Sequence, residues 1–148
     1  MGLASLLFRE PVMFFMLVIP LLYSVIAHEV AHGWVAYLFG DNTAKRSGRL
    51  SPNPMMHIDP MGTIALFLVG FGWAKPVPVN YANLRNFRVA LVCVSLAGCL
   101  TNIIIATIAI FLLKSQVFGL NPFATTVLLI IARVNMILGS FNLIPIPP

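Results

Sequence analysis

His28, Glu29 and His32 stand in the order His-Glu-Val-Ala-His, and their types and spacing suit chemistry. Side chains four residues apart on a helix share one face, about 6 Å apart along the axis, so two imidazoles there can converge on one metal ion. A carboxylate directly after the first ligand is placed to take a proton from a water that the metal activates. The chemistry this trio suits is zinc-assisted hydrolysis.

The surroundings sharpen that reading. The trio lies inside an apolar run from about Val12 to Phe39. Such a run makes roughly 42 Å of helix, enough to cross a hydrocarbon core of about 30 Å with some tilt. An ionisable residue at the centre of a spanning helix costs on the order of 3 kcal/mol on insertion scales. Binding of a structural zinc ion contributes roughly 10–16 kcal/mol in small peptides, enough to offset that cost. A polar seam between helices would explain one membrane histidine, but it requires neither the four-residue spacing nor the adjacent carboxylate.

A catalytic zinc normally has three protein ligands and one open position. His57 and Asp59 are the nearest further candidates, yet they sit in a turn-rich stretch where a solvated or loop-packing role is expected. Cys93 and Cys99 are six residues apart in one apolar run. On a helix that is about 9 Å, beyond disulfide reach, so both read as small packing residues.

The elements that must carry these residues are membrane helices. Of 148 residues, 59% are hydrophobic and 9% charged, and the mean hydropathy is +0.96, values foreign to a soluble domain. No repeat or linker divides the chain, so residues 1–148 read as one membrane-embedded core. Val25-Ile26-Ala27 resembles a cleavage site, but the apolar run continues past it and Arg9-Glu10 makes a poor positive leader, so the first helix is expected to stay.

Spanning helices are expected over about 12–39, 89–113 and 122–144, with Asn121 capping the third and Pro122 in its first turn. Between the first two, Thr43–Pro60 is polar and irregular. The Gly-rich run from Met61 to Trp73, followed by the alternating Pro76-Val77-Pro78-Val79, reads as a re-entrant or interfacial β-hairpin over about 61–80. The expected fold class is therefore all-α integral membrane, three core helices plus that hairpin.

The net charge of +5 does not point to nucleic acid, because the basic residues lie between apolar runs and are not mixed with exposed aromatics. With a hairpin that does not cross, Lys45, Arg46, Arg49, Lys75, Arg85 and Arg88 fall on one side and Lys114 on the other. The positive-inside rule then puts the long loops in the cytoplasm and the N-terminus outside, in a prokaryotic inner membrane. Arg133, in mid-helix, needs a partner or a wet cavity and receives no assignment.

Several strings occur together: His28-Glu29-Val30-Ala31-His32-Gly33, Gly40-Asp41-Asn42-Thr43-Ala44, Gly48-Arg49-Leu50, Asn53-Pro54 through Pro60, Gly72-Trp73-Ala74-Lys75-Pro76-Val77-Pro78-Val79-Asn80, and Phe141-Asn142 through Pro148. In this order they resemble the site-2 protease family of intramembrane metalloproteases, in its compact prokaryotic form without a PDZ domain. The resemblance implies a catalytic Zn²⁺ on His28 and His32, with Glu29 as general base. It implies Asn102 as a group stabilising the oxyanion and Asn142 as a substrate contact, although an interhelical hydrogen bond is the alternative for each. Substrates would be single-spanning membrane proteins, anti-sigma factors or other membrane regulators, cut within the lipid bilayer; oligomerisation stays open.

Two departures matter. The family's closing string carries on with Leu-Asp-Gly, whose aspartate is the third zinc ligand; that position lies past Pro148. Relatives have proline where this sequence has Cys99, so a kink near the site is expected to relax. Two rival functions remain at this level. A divalent-metal transporter would also place His and Glu in a spanning helix, but the chain has no inverted repeat and no second metal-binding half-helix. An inactive zinc-binding scaffold would hold membrane segments without cutting them.

Overall fold

Helix punctuation in the chain is mostly proline, asparagine, aspartate and glycine. The computed structural model describes residues 3–70, 72–115 and 121–143. The elements are α1 (Leu3–Arg9), α2 (Pro11–Leu38), α3 (Thr43–Arg46), α4 (Pro60–Val69), α5 (Phe87–Ser115) and α6 (Pro122–Leu143). Pro11 and Pro122 occupy first turns, where a missing N–H leaves no bond unmade. The Asn121 side chain accepts from Ala124 N–H at 2.8 Å and caps α6. Pro20 lies within α2 without ending it, and Ser24 donates its hydroxyl to the Pro20 carbonyl at 2.6 Å.

Helices α2, α5 and α6 pack on one another, and each is long and apolar enough to cross a membrane. The inner faces of α5 and α6 are made mostly of small residues. In α5 the buried positions include Ala90, Val94, Gly98, Asn102 and Ala106, one every four residues. Val92, Leu96, Leu100, Ile104 and Ile108 on the same helix are exposed. Large apolar side chains outside and small ones inside suit a helix solvated by lipid, where association relies on close packing and interhelical hydrogen bonds. One such bond joins Asn135 of α6 to the Ser24 hydroxyl of α2 at 2.8 Å.

The β-hairpin expected over 61–80 is not there. Its first limb is helix α4, and the described residues contain a single antiparallel bridge, Ile58 with Ala74. The reason is local. Asp59 accepts from Gly62 N–H at 2.8 Å, Pro60 sits at the first position, and Gly70 ends the helix at φ 76°, a left-handed cap. Helix α4 packs on α1, and its Phe67 ring reaches Phe14 at the start of α2, stacked with centroids 5.9 Å apart. Gly62 and Gly72 permit the return. A Cβ on Gly62 would run into the Trp73 carbonyl oxygen, and one on Gly72 into that of Gly62.

From Lys75 to Asn80 the chain runs along α2 without regular structure, and three buried or half-buried side chains hold it there. Arg49 donates to the carbonyls of Lys75 at 2.7 Å and Pro76 at 2.9 Å. Glu29 accepts from Val77 N–H at 3.1 Å. Asp41, fully buried just past α2, accepts from Asn80 N–H at 2.7 Å, Asn83 Nδ2 at 3.0 Å, and the Thr43 hydroxyl and N–H at 2.5 and 3.1 Å.

Burial alone would push the Asp41 carboxyl upward, but the hydrogen bonds from Thr43, Asn83 and Asn80 outweigh it and hold it below its ordinary value. A lowered folded-state value means that its stabilisation is present above the unfolded carboxyl's value and is lost as pH falls through the folded one. In detergent, Asp41→Asn is therefore expected to melt below the parent at neutral pH, with the gap closing below about pH 4. Thermal unfolding of both proteins from pH 3 to 7 measures this, and a gap independent of pH would remove the carboxylate from the explanation.

Candidate metal centre

The four-residue spacing on α2 does bring the two imidazoles together. His28 Nε2 and His32 Nε2 are 3.1 Å apart, with ring centroids at 4.7 Å and planes at 77°. Each ring is held from behind by α5. His32 Nδ1 lies 2.6 Å from the Val94 carbonyl oxygen, and His28 Nδ1 lies 3.1 Å from Asn102 Nδ2. A carbonyl only accepts, so His32 carries its proton on Nδ1 and presents a lone pair at Nε2.

Gly98 closes the site from the same helix face. A Cβ there would stand 2.5 Å from Nε2 of both histidines, inside their point of convergence. This is a cradle that any side chain would fill. Two nitrogens bound to one tetrahedral zinc at about 2.0–2.1 Å stand roughly 3.3 Å apart, close to the 3.1 Å observed. The pair and the space in front of it fit such an ion.

Glu29 lies beside the pair with Oε2 on Val77 N–H. Both histidines, Glu29, Val77, Val79 and Asn142 line one cavity of about 380 Å³. Asn142 reaches it from the last turn of α6, its Nδ2 donating to the Leu138 carbonyl at 2.8 Å. Cys99 also lines the cavity and is a free thiol.

Asn102 is fully buried and does not line that cavity; it touches the site through His28. His57 and Asp59 do not join the pair. His57 is buried in the loop with Nε2 2.8 Å from the Ser51 carbonyl oxygen, and Asp59 caps α4. Among the described residues no third His, Cys, Asp or Glu completes a metal-binding group. The closing string 144–148 lies outside them.

Sequence reasoning missed Gly98, the Val94 carbonyl and the Val77 amide. The backbone groups leave no mark on side-chain identity. Gly98 leaves one, since it stands at the centre of the four-residue stripe from Ala90 to Ala106.

The chain is 45% identical, over 139 residues, to a curated protein of Bacillus subtilis (strain 168) named "Putative zinc metalloprotease YwhC". The match covers 89% of this chain and 64% of that relative's length. No family model matches the chain, and no solved structure does.

Gly98→Ala tests the cradle. The clashing atoms are ring tips whose Nδ1 atoms are tied to α5, so a methyl group drives the rings apart against those bonds, while alanine's helix preference keeps α5 itself intact. The complete protein carrying Gly98→Ala should stay folded, melting somewhat below the parent, and lose at least about tenfold in zinc affinity, since ligand geometry governs binding. Metal analysis after dialysis against a chelator measures it; full zinc retention would move the convergence point elsewhere.

Proposed function

We propose that this chain is the membrane-embedded core of a zinc metalloprotease of the site-2 type, hydrolysing peptide bonds inside transmembrane segments. The carrying observation is the convergence of His28 and His32 at 3.1 Å beside Glu29, on a helix apolar and long enough to span a membrane. The name of the Bacillus subtilis relative supports the metalloprotease part of this reading. The apolar helices and the family strings support the intramembrane part.

His28 and His32 would hold the zinc through Nε2, and the resemblance supplies the third ligand as the aspartate of the family's closing string. Bound there, zinc supplies Lewis acidity, lowering the pKa of water toward 7 and polarising a carbonyl. Glu29 acts as the general base. Its Oε2 is anchored by Val77 N–H, which leaves Oε1 to accept the proton of the attacking water and later to pass it to the departing amine.

A helical substrate hides its amides in i to i−4 hydrogen bonds, so it has to unwind locally before attack. The extended stretch beside Glu29 offers replacement partners. Among the described residues, the Val79 N–H and the Val77 and Val79 carbonyls have no hydrogen-bond partner. Pro76 and Pro78 carry no N–H, so the other edge of this stretch is poor in donors. An unwound segment would pair along the Val77–Val79 edge by strand addition, with Asn142 as a further contact at the cavity.

The substrates are single-spanning membrane proteins, such as anti-sigma factors or other membrane regulators. The basic loops face the cytoplasm of a prokaryotic inner membrane, by the positive-inside rule.

Glu29→Gln keeps the side chain's size and removes its basicity. The variant should retain zinc while cleavage of a reconstituted membrane substrate falls roughly 10²–10⁴-fold, the usual contribution of a general base. Zinc content and cleavage rate in proteoliposomes measure this. Undiminished cleavage would rule out the assignment of Glu29.

A further inference from the structure

We propose that Asn102 is a positioning residue for His28: its side-chain amide decides which ring nitrogen carries the proton, and so whether Nε2 can bind metal. The proposal rests on the zinc reading of the same site and concerns how the ligand is prepared.

The two histidines are held differently. His32 Nδ1 faces a backbone carbonyl, which fixes its proton on Nδ1 and its lone pair on Nε2. His28 Nδ1 faces an amide 3.1 Å away, with the Gly98 carbonyl as a further acceptor against the ring, and an amide offers a donor or an acceptor according to how it is turned. With Nδ2 toward the ring, His28 Nδ1 accepts and the proton sits on Nε2, from which it donates to His32 Nε2 at 3.1 Å. The chain of bonds then runs from Asn102 to His28 to His32 to the Val94 carbonyl. Turned by half a rotation, Asn102 presents Oδ1, His28 carries its proton on Nδ1, and both Nε2 lone pairs face the space left by Gly98.

Two further observations favour this role. In the first orientation Asn102 Oδ1 is buried without a partner, so the amide has an acceptor in reserve. Asn102 is also fully buried and does not line the cavity, which keeps it behind the ring and away from any reacting carbonyl. A residue behind a ligand histidine acts by setting its tautomer and ring orientation, and loss of such a partner lowers metal affinity about 10–100-fold. An amide can satisfy His28 in either tautomer, whereas the carbonyl behind His32 satisfies only one.

The test uses the complete protein with ¹⁵N-labelled histidine, the parent against Asn102→Leu and Asn102→Asp. Nitrogen chemical shifts report which ring nitrogen of His28 is protonated, and competition with a chelator reports zinc affinity. In the zinc-loaded parent, His28 should carry its proton on Nδ1. Asn102→Leu should lose zinc affinity about 10–100-fold. Asn102→Asp, a fixed acceptor, should restore it to within a few-fold. Should Asn102→Leu disturb folding, the parent's His28 tautomer and the Asn102→Asp variant still decide.

If instead both variants bind zinc as the parent does and lose only kcat, Asn102 serves the transition state and the proposal is overturned. Zinc on His28 Nδ1 would overturn it equally. A parent that binds no zinc at all would sink the metal reading itself, a result distinct from either of these.

Discussion

The site depends on how closely α5 approaches α2. Lipid provides no hydrophobic drive between helices, so a close approach has to come from small residues and interhelical hydrogen bonds. Val94, Gly98 and Asn102 stand one turn apart on the buried face of α5. They supply a carbonyl behind His32, a missing side chain between the rings, and an amide behind His28. One helical stripe therefore packs the bundle and aims both imidazoles. A larger residue at position 98 would separate these two tasks.

The second constraint is the non-helical stretch beside Glu29. Irregular backbone is tolerated at membrane depth only where it is buried in protein or lines a wet cavity, because its polar groups need partners. Here the partners are side chains from α2 and from the loops that follow it. Arg49 takes two carbonyls, Asp41 takes the Asn80 amide, and Glu29 takes the Val77 amide. Gly33 lets the stretch come close, since a Cβ there would lie 2.7 Å from side-chain carbons of Leu50 and Val77. The anchors lie at both ends, which leaves Val77 and Val79 facing the cavity.

Much of this could be read from residue order, for physical reasons that differ by element. The three long helices announce themselves because twenty or more apolar residues have few other folds available in lipid. The histidine pair was legible because a four-residue spacing on a helix has one geometric meaning. The hairpin expectation fails because glycines such as those between Met61 and Trp73 punctuate strands and helices alike. Asp59-Pro60 is a helix start, and Gly70 is a helix stop, so the same residues punctuate a short helix. Residue order does not show what Asp41 holds; its four donors come from residues 43, 80 and 83, and the two distant ones become neighbours only in the fold.

The cavity's composition ties these constraints to the proposed chemistry. Hydrolysis in a bilayer needs water where lipid excludes it, and the His28, Glu29 and Asn142 side chains make this space polar although the bundle's outer surface is apolar. The wall formed by Val77 and Val79 is also the edge on which an extended substrate would pair. A substrate docked there would occupy much of the volume that admits water. Its arrival would thus dry the surroundings of Glu29 while leaving the water nearest the histidines, and charges act more strongly in such a drier site. On this reading, placing the docking edge and the general base on one cavity couples binding to activation, with the Val77 amide joining the two.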